Sequence, residues 1–231
     1  LGITQDITER KQAAILQETV YHIAEAAQKT SSLKHLYTEI HRNISIVMNA
    51  RNFYIALYDK SDNNLLNFVY SVDEKDTVRE SMPLGKGLTS HVLSTGSSFL
   101  YSSEQENSRM EVIGIPPMVW LGVPLIAYGQ TIGMMAVQDY TDVRAYGMRE
   151  QRILEFVSSQ VANAIVLKRT NDMLQASQAS LEMAQSIANL GSWELDPQNG
   201  AGLQWSKEMF HLFQCDPSQG IPPLSRFMEM V

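Results

Sequence analysis

The chain has 231 residues, 44% of them hydrophobic and 19% charged, with a formal net charge of −7. That composition belongs to a folded globular protein rather than a disordered one, and its scattered Lys and Arg residues form no basic patch able to neutralise nucleic-acid phosphates. The single cysteine, Cys215, permits neither a disulfide nor a thiolate metal site within one chain, which fits a reducing, cytoplasmic setting.

No apolar run reaches the roughly 18–20 residues that a membrane helix needs. The first residues lack the charged-then-apolar pattern of a signal peptide. The chain opens in mid-pattern without methionine, so we expect a piece of a longer protein whose other parts could still anchor it to a membrane.

Asp6 or Thr8 can cap a first helix, and Glu9 favours the positive end of its dipole. Ala13, Leu16, Val20, Ile23 and Ala27 then recur at steps of three and four, a stripe narrow enough for a coiled-coil seam. Thr30, Ser31 and Ser32 interrupt it and cap a second helix that carries Leu33, Leu36, Tyr37, Ile40, Ile44 and Val47 on one side. At residue 52 the period changes. NFYIALY (52–58) and 65–72 read as a hairpin across the turn cluster DKSDNN (59–64), the first strand being apolar on both faces and so covered on both.

Gly85 to Gly87 bends the chain into a short helix over 88–94, ended by Gly96, and 97–101 reads as a short strand. A polar loop, 102–117, is long enough to be functional. Strands 118–126 and 131–140 follow as a second hairpin. From residue 147 to about 186 a helical pattern runs for roughly 60 Å. Ile153, Val157, Ala164, Leu167, Leu174 and Leu181 fit a 3.5-residue repeat, and the polar Gln160, Asn171 and Gln178 fall at seam positions. Residues 191–196 and 203–205 are short strands, followed by helical stretches at 206–213 and after Pro223. Too little chain follows residue 187 to close a core of its own.

These pieces resemble known signalling domains. GITQDITERK (2–11) resembles the exit of a PAS domain. RNFYIALYD (51–59), LGKGLT (84–89), WLGVPL (120–125), GQTIGMMAVQDY (129–140) and ILEFVSSQVANAI (153–165) resemble a GAF domain, and ANLGSWELDP (188–197) the entrance of a second PAS domain. The resemblance implies an α+β fold: a GAF-like six-stranded antiparallel sheet with helices on one face, a ligand pocket on the other, and long flanking signalling helices.

In that arrangement 1–11 ends a PAS-like domain, 12–30 is a linker helix, 31–168 the GAF-like domain, 169–186 a coiled-coil linker, and 187–231 a truncated PAS-like start. The resemblance further implies the sensory part of a bacterial histidine kinase or of a diguanylate cyclase or phosphodiesterase, feeding an output domain of the same protein.

Catalytic signatures are missing. Gly85-Lys86-Gly87-Leu88-Thr89 lacks the GxxxxGK[ST] spacing of a phosphate-cradling loop and reads as a strand-to-helix turn. His22, His35, His41, His91 and His211 form no metal spacing, and only His91 falls near the expected pocket. Cys215 lies outside the GAF-like part. A covalent bilin is therefore not expected, nor is the thiol chemistry of GAF-type methionine sulfoxide reductases. The NKFDE signature of cyclic-nucleotide-binding GAF domains is absent, which argues against cyclic AMP or GMP. Asp59, Asp62, Asp73, Glu74 and Asp76 read as solvated turn carboxylates rather than a metal site or acid–base pair.

The expected roles are then a sensor of a small molecule or partner that relays the change through dimeric helices or, alternatively, a dimerising spacer with no ligand, and no cofactor can be named. We expect a pocket at Phe53, Ile55, Tyr70, Trp120 and Gly122, with Ile113 and Ile115 of the loop over it. The argument is that a glycine beside a tryptophan leaves space, and that an apolar lining suits a neutral or planar ligand. We expect a parallel homodimer whose seam is Leu16, Val20, Ile23, Ile153, Val157, Leu167, Leu174 and Leu181.

Overall fold

The computed structural model describes residues 2–59, 65–77, 80–104, 110–196 and 202–229. The chain forms two compact units, Leu1–Arg169 and Thr170–Val231. In the first, two helices, α1 (Gly2–Lys29) and α2 (Leu33–Val47), precede six strands: β1 (Asn52–Asp59), β2 (Leu65–Val72), β3 (Ser81–Pro83), β4 (Phe99–Ser102), β5 (Val119–Ala127) and β6 (Gln130–Asp139). A short helix, α3 (Leu88–Thr95), lies between β3 and β4, and α4 (Met148–Ala188) follows β6.

The strands make one antiparallel sheet in the order β3-β2-β1-β6-β5-β4. The expected hairpins β1–β2 and β5–β6 are present. The turn expected at 59–64 falls almost entirely outside the described residues. The β5–β6 turn carries positive φ at both Tyr128 (50°) and Gly129 (73°), the geometry whose twist matches a two-residue hairpin.

The strands β1, β2, β4, β5 and β6 divide their side chains between two cores. Phe53, Ile55 and Leu57 of β1, Leu121, Val123 and Leu125 of β5 and Met135 and Val137 of β6 meet the helical layer: Ile23 of α1, Leu36, Ile40 and Ile44 of α2, and Leu154, Val157, Val161 and Ile165 of α4. Tyr54, Ala56, Leu66, Trp120, Met134 and Ala136 face the other way, against Leu88, Val92 and Leu93 of α3. The double-sided burial of β1 inferred from NFYIALY is thus observed.

Helix α2 is positioned by Ser32, whose hydroxyl accepts the His35 N–H, and it buries Leu36, Tyr37, Ile40, Asn43 and Ile44 at helical spacing. Helix α3 ends at Gly96, which takes the left-handed conformation (φ 63°) and returns its N–H to the Val92 carbonyl.

Three features differ from the sequence expectation. Helix α1 starts at Gly2 rather than near Asp6, so the helix is continuous through the segment expected to end a preceding domain. Strand β3, three residues closed by Pro83, was not expected; it pairs with β2 at the sheet edge.

The seam assignment also needs correction. Ile23 and Val157 are fully buried in the protomer's own core, and Leu16, Val20 and Ile153 pack against that core. Their stripes cover this sheet rather than wait for a partner. Leu167, Leu174 and Leu181, at 43%, 56% and 60% exposure, remain open. No helix among the described residues is long and apolar enough to cross a membrane.

In the second unit, β7 (Trp193–Leu195) pairs antiparallel with β8 (Gly202–Trp205), followed by α5 (Lys207–Leu212), a 3-10 turn (Pro217–Gln219) and α6 (Leu224–Met228). Trp205 is buried at its centre, with the rings of Phe210, Phe227 and Phe213 at 5.3, 5.5 and 5.8 Å. Cys215 is a half-buried free thiol of this unit.

Candidate functional site

The sheet face turned away from the long helices is only partly covered. Under α3 and the segment 112–117 lies a cavity of about 300 Å³, whose floor is Tyr54 and Trp120 and whose sides include Leu66, Phe68, Met82 and Gln138. The first turn of α3 (Gly87, Leu88, Thr89, Ser90) and the loop residues Val112, Ile113, Gly114, Ile115 and Pro117 close it.

The floor is held by a buried polar chain. The Trp120 indole N–H donates to the Tyr54 hydroxyl at 3.1 Å, and the hydroxyls of Tyr54 and Thr89 share a hydrogen bond of 2.8 Å. Burial pushes the Tyr54 hydroxyl up to about 12, opposed by the bonds from Thr89 and Trp120. A buried tryptophan and tyrosine that satisfy each other leave the floor without an unpaired polar atom at either group.

The loops that frame the mouth are tied to the sheet. Asp73 accepts the side-chain amide of Gln138 at 2.6 Å, the Tyr140 hydroxyl at 3.1 Å, and the backbone N–H groups of Lys75 and Asp76 at 2.8 and 2.7 Å. Asp76 in turn accepts the Ile115 N–H at 3.1 Å. Gly114 makes that contact feasible: it has φ +93°, and a Cβ there would lie 2.0 Å from the Asp76 carboxylate. On the opposite rim, Gly87 pairs with Glu111 in an isolated bridge, and a Cβ on Gly87 would come within 3.3 Å of the Glu111 carbonyl.

Of the seven residues expected at the pocket, Trp120, Ile113 and Ile115 line the cavity. Phe53, Ile55 and Tyr70 do not: they lie on the helix-covered face, where Phe53 stacks on His41 at 5.0 Å between ring centroids and Tyr70 bonds the His41 Nδ1 at 2.9 Å. The cause is register. Tyr54, not Phe53, pairs with Ala136, which pairs in turn with Gly122 beside Trp120. A bulge at Ile55/Ala56 then sets Tyr70 opposite Ile55 and Phe68 opposite Ala56, so Phe68 reaches the cavity.

Gly122 lies on the cavity side of β5 without lining the cavity. The space above it is filled by the Trp120 ring itself, which would lie 2.1 Å from a Cβ there. Tyr54, Thr89 and Asp76, all central to the site, were not expected in the pocket: Tyr54 and Thr89 lie in the RNFYIALYD and LGKGLT stretches, where no pocket role was assigned to them, and Asp76 reads as one of several turn carboxylates. His91 stacks edge-on to Phe99 at 4.7 Å and is not in the cavity wall. Among the described residues no group of three or more His, Cys, Asp or Glu could hold a metal ion.

Solved structures share this fold at low identity. The GAF domain of Acinetobacter phosphoenolpyruvate-protein phosphotransferase matches with a TM-score of 0.56 and 16% identity, over 68% of this chain and 96% of that one. Free methionine-R-sulfoxide reductase from Neisseria meningitidis matches at 0.56 and 12%, over 69% and 93%. A methyl-accepting chemotaxis protein fragment matches at 0.52 and 17%, over 62% and 94%. No curated protein matches the sequence. The GAF domain family model matches residues 30–166, which hold the whole six-stranded sheet, and on that match over more than half its length the chain belongs to the GAF domain family.

Proposed function

We propose that this chain is the sensory part of a multidomain signalling protein and that its cavity binds a small organic molecule whose occupancy is relayed to the long helices. GAF domains in general are sensory or regulatory modules. The observation that carries the reading is the cavity itself: about 300 Å³ over Trp120 and Tyr54, within the range of roughly 300–1,000 Å³ usual for ligand sites.

The relay route is short. Neighbouring residues of β1 point to opposite faces, so Tyr54 contacts the cavity while Phe53 stacks on His41 of α2. A ligand that displaces the Tyr54–Thr89 hydrogen bond shifts β1 against α2.

The finer reading is a cytoplasmic, parallel homodimer joined by the exposed Leu167, Leu174 and Leu181, with PAS-like segments at 1–11 and 187–231. The parent would be a histidine kinase or a cyclic-dinucleotide enzyme, supported by the motif order along the chain. Turnover by this chain is not part of the proposal. The thiol chemistry that the sequence resemblance implies for GAF-type methionine sulfoxide reductases would need a thiolate nucleophile, and the one cysteine lies at position 215, outside the GAF match.

Native and denaturing mass spectrometry of purified protein tests the ligand reading. A co-purifying small molecule retained by the wild type and lost from Ile113→Trp supports it. A molecule retained equally by both sinks it.

A further inference from the structure

The cavity wall has an unusual balance of groups. Tyr54, Phe68 and Trp120 present three aromatic rings, and among the described residues of the wall Asp76 is the one charged side chain, with no Lys or Arg. We propose that the cavity selects an arylalkylamine, with its flat ring against Trp120, Tyr54 and Phe68 and its alkylammonium group at the Asp76 carboxylate. The inference rests on the cavity being a ligand site and names the class of ligand.

The carboxylate is placed and half used. Its Oδ2 accepts the Ile115 N–H at 3.1 Å, while its Oδ1 has no hydrogen-bond partner among the described residues. The contact at Gly114 and the Asp73 turn before it hold Asp76 at the mouth, so an amine meets a positioned acceptor. Aromatic faces attract cations as well, most strongly that of tryptophan. Asp73 and Glu74 add negative charge in the same turn, that of Glu74 offset by Arg51 at 3.9 Å. Their field is visible at Tyr140, whose hydroxyl is pushed up first by burial, then by Asp73 and next by Asp76 and Glu74. Lys75, the base in this turn, lies 4.9 Å over the Tyr140 ring and is not part of the cavity wall. A carboxylate or phosphate ligand would therefore meet like charge at the mouth, with no Lys or Arg among the described wall residues to offset it.

Calorimetric titration of the full chain with three matched probes tests this: 2-phenylethylamine, 3-phenylpropionate and 2-phenylethanol. The amine is expected to bind at least about tenfold more tightly than the carboxylate, an advantage that narrows as salt screens the charge. Asp76→Asn, which keeps an oxygen for the Ile115 N–H, should remove the advantage while weakening 2-phenylethanol far less than the amine. Asp76→Glu, which keeps the charge, should preserve it. Equal or tighter binding of the carboxylate, an amine advantage that survives Asp76→Asn, or no binding of any probe overturns the inference. If 2-phenylethanol binds the wild type but not Ile113→Trp, with no preference for the amine, this inference falls and the cavity remains a ligand site.

Discussion

Trp120 and Tyr54, 66 positions apart in the chain, meet through a buried N–H···O bond of 3.1 Å between β5 and β1. Tyr54→Phe removes the acceptor and leaves the Trp120 donor buried without a partner. The expected cost is about 1–3 kcal/mol. It should appear as a lower urea midpoint with an unchanged slope, because the surface exposed on unfolding does not change.

The same tyrosine gives the protein an alkaline limit. Its hydroxyl titrates at 10.0 ordinarily and at about 12 when folded, because burial disfavours the phenolate. Between those values the unfolded chain has released the proton and the native state keeps it, so the unfolded state is favoured as pH rises. The stabilisation is whole below pH 10 and is lost as pH climbs through 12. Tyr146, held up by burial and then by Asp139, acts in the same direction. Urea midpoints measured from pH 9 upward should fall beyond about 10, and less steeply in Tyr54→Phe.

Gly114→Ala tests how the loop is held. The residue has φ +93°, and the new methyl would collide with Asp76. The strain, about 1–3 kcal/mol, should be relieved by moving the loop and breaking the Asp76–Ile115 bond. Faster proteolysis near residue 114 with an almost unchanged thermal midpoint is the expected result. Cleavage at the wild-type rate would contradict the tie.

Most of the fold was legible because residue pattern within one element reports local structure. The alternation in NFYIALY separates Phe53, Ile55 and Leu57 from Tyr54, Ala56 and Tyr58, and the structure keeps both sets intact. What one strand cannot state is which of its faces joins which face of its neighbour. Grouping Phe53 with Trp120 mixed the two faces, because pairing through β6 sets Tyr54 beside Gly122's partner Ala136. Strand β3 was silent because three residues ending in proline carry no periodicity. Ile23 and Val157 share the spacing of a coiled-coil seam, but spacing does not say whether a stripe covers its own sheet or a second chain.

That distinction gives a paired mutational test. Leu167→Glu with Leu174→Glu changes exposed positions and should convert a dimer to monomer in equilibrium sedimentation, and should remove the concentration dependence of the unfolding midpoint. Val157→Ala opens space in a fully buried position and should cost about 1–3 kcal/mol while leaving the oligomeric state alone. A wild-type chain that stays monomeric at high micromolar concentration would contradict the dimer.

The central claim is that the face carrying Trp120, and not the helix-covered face carrying Phe53, receives the ligand. Its most direct test is ligand-observed NMR with a metabolite library, together with the indole N–H resonance of Trp120 in a Trp193→Phe, Trp205→Phe background. The account predicts binders that shift this resonance and that are lost in Ile113→Trp, whose added ring fills a half-exposed position of the cavity wall. Binders that leave the Trp120 resonance in place and are retained by Ile113→Trp would contradict it.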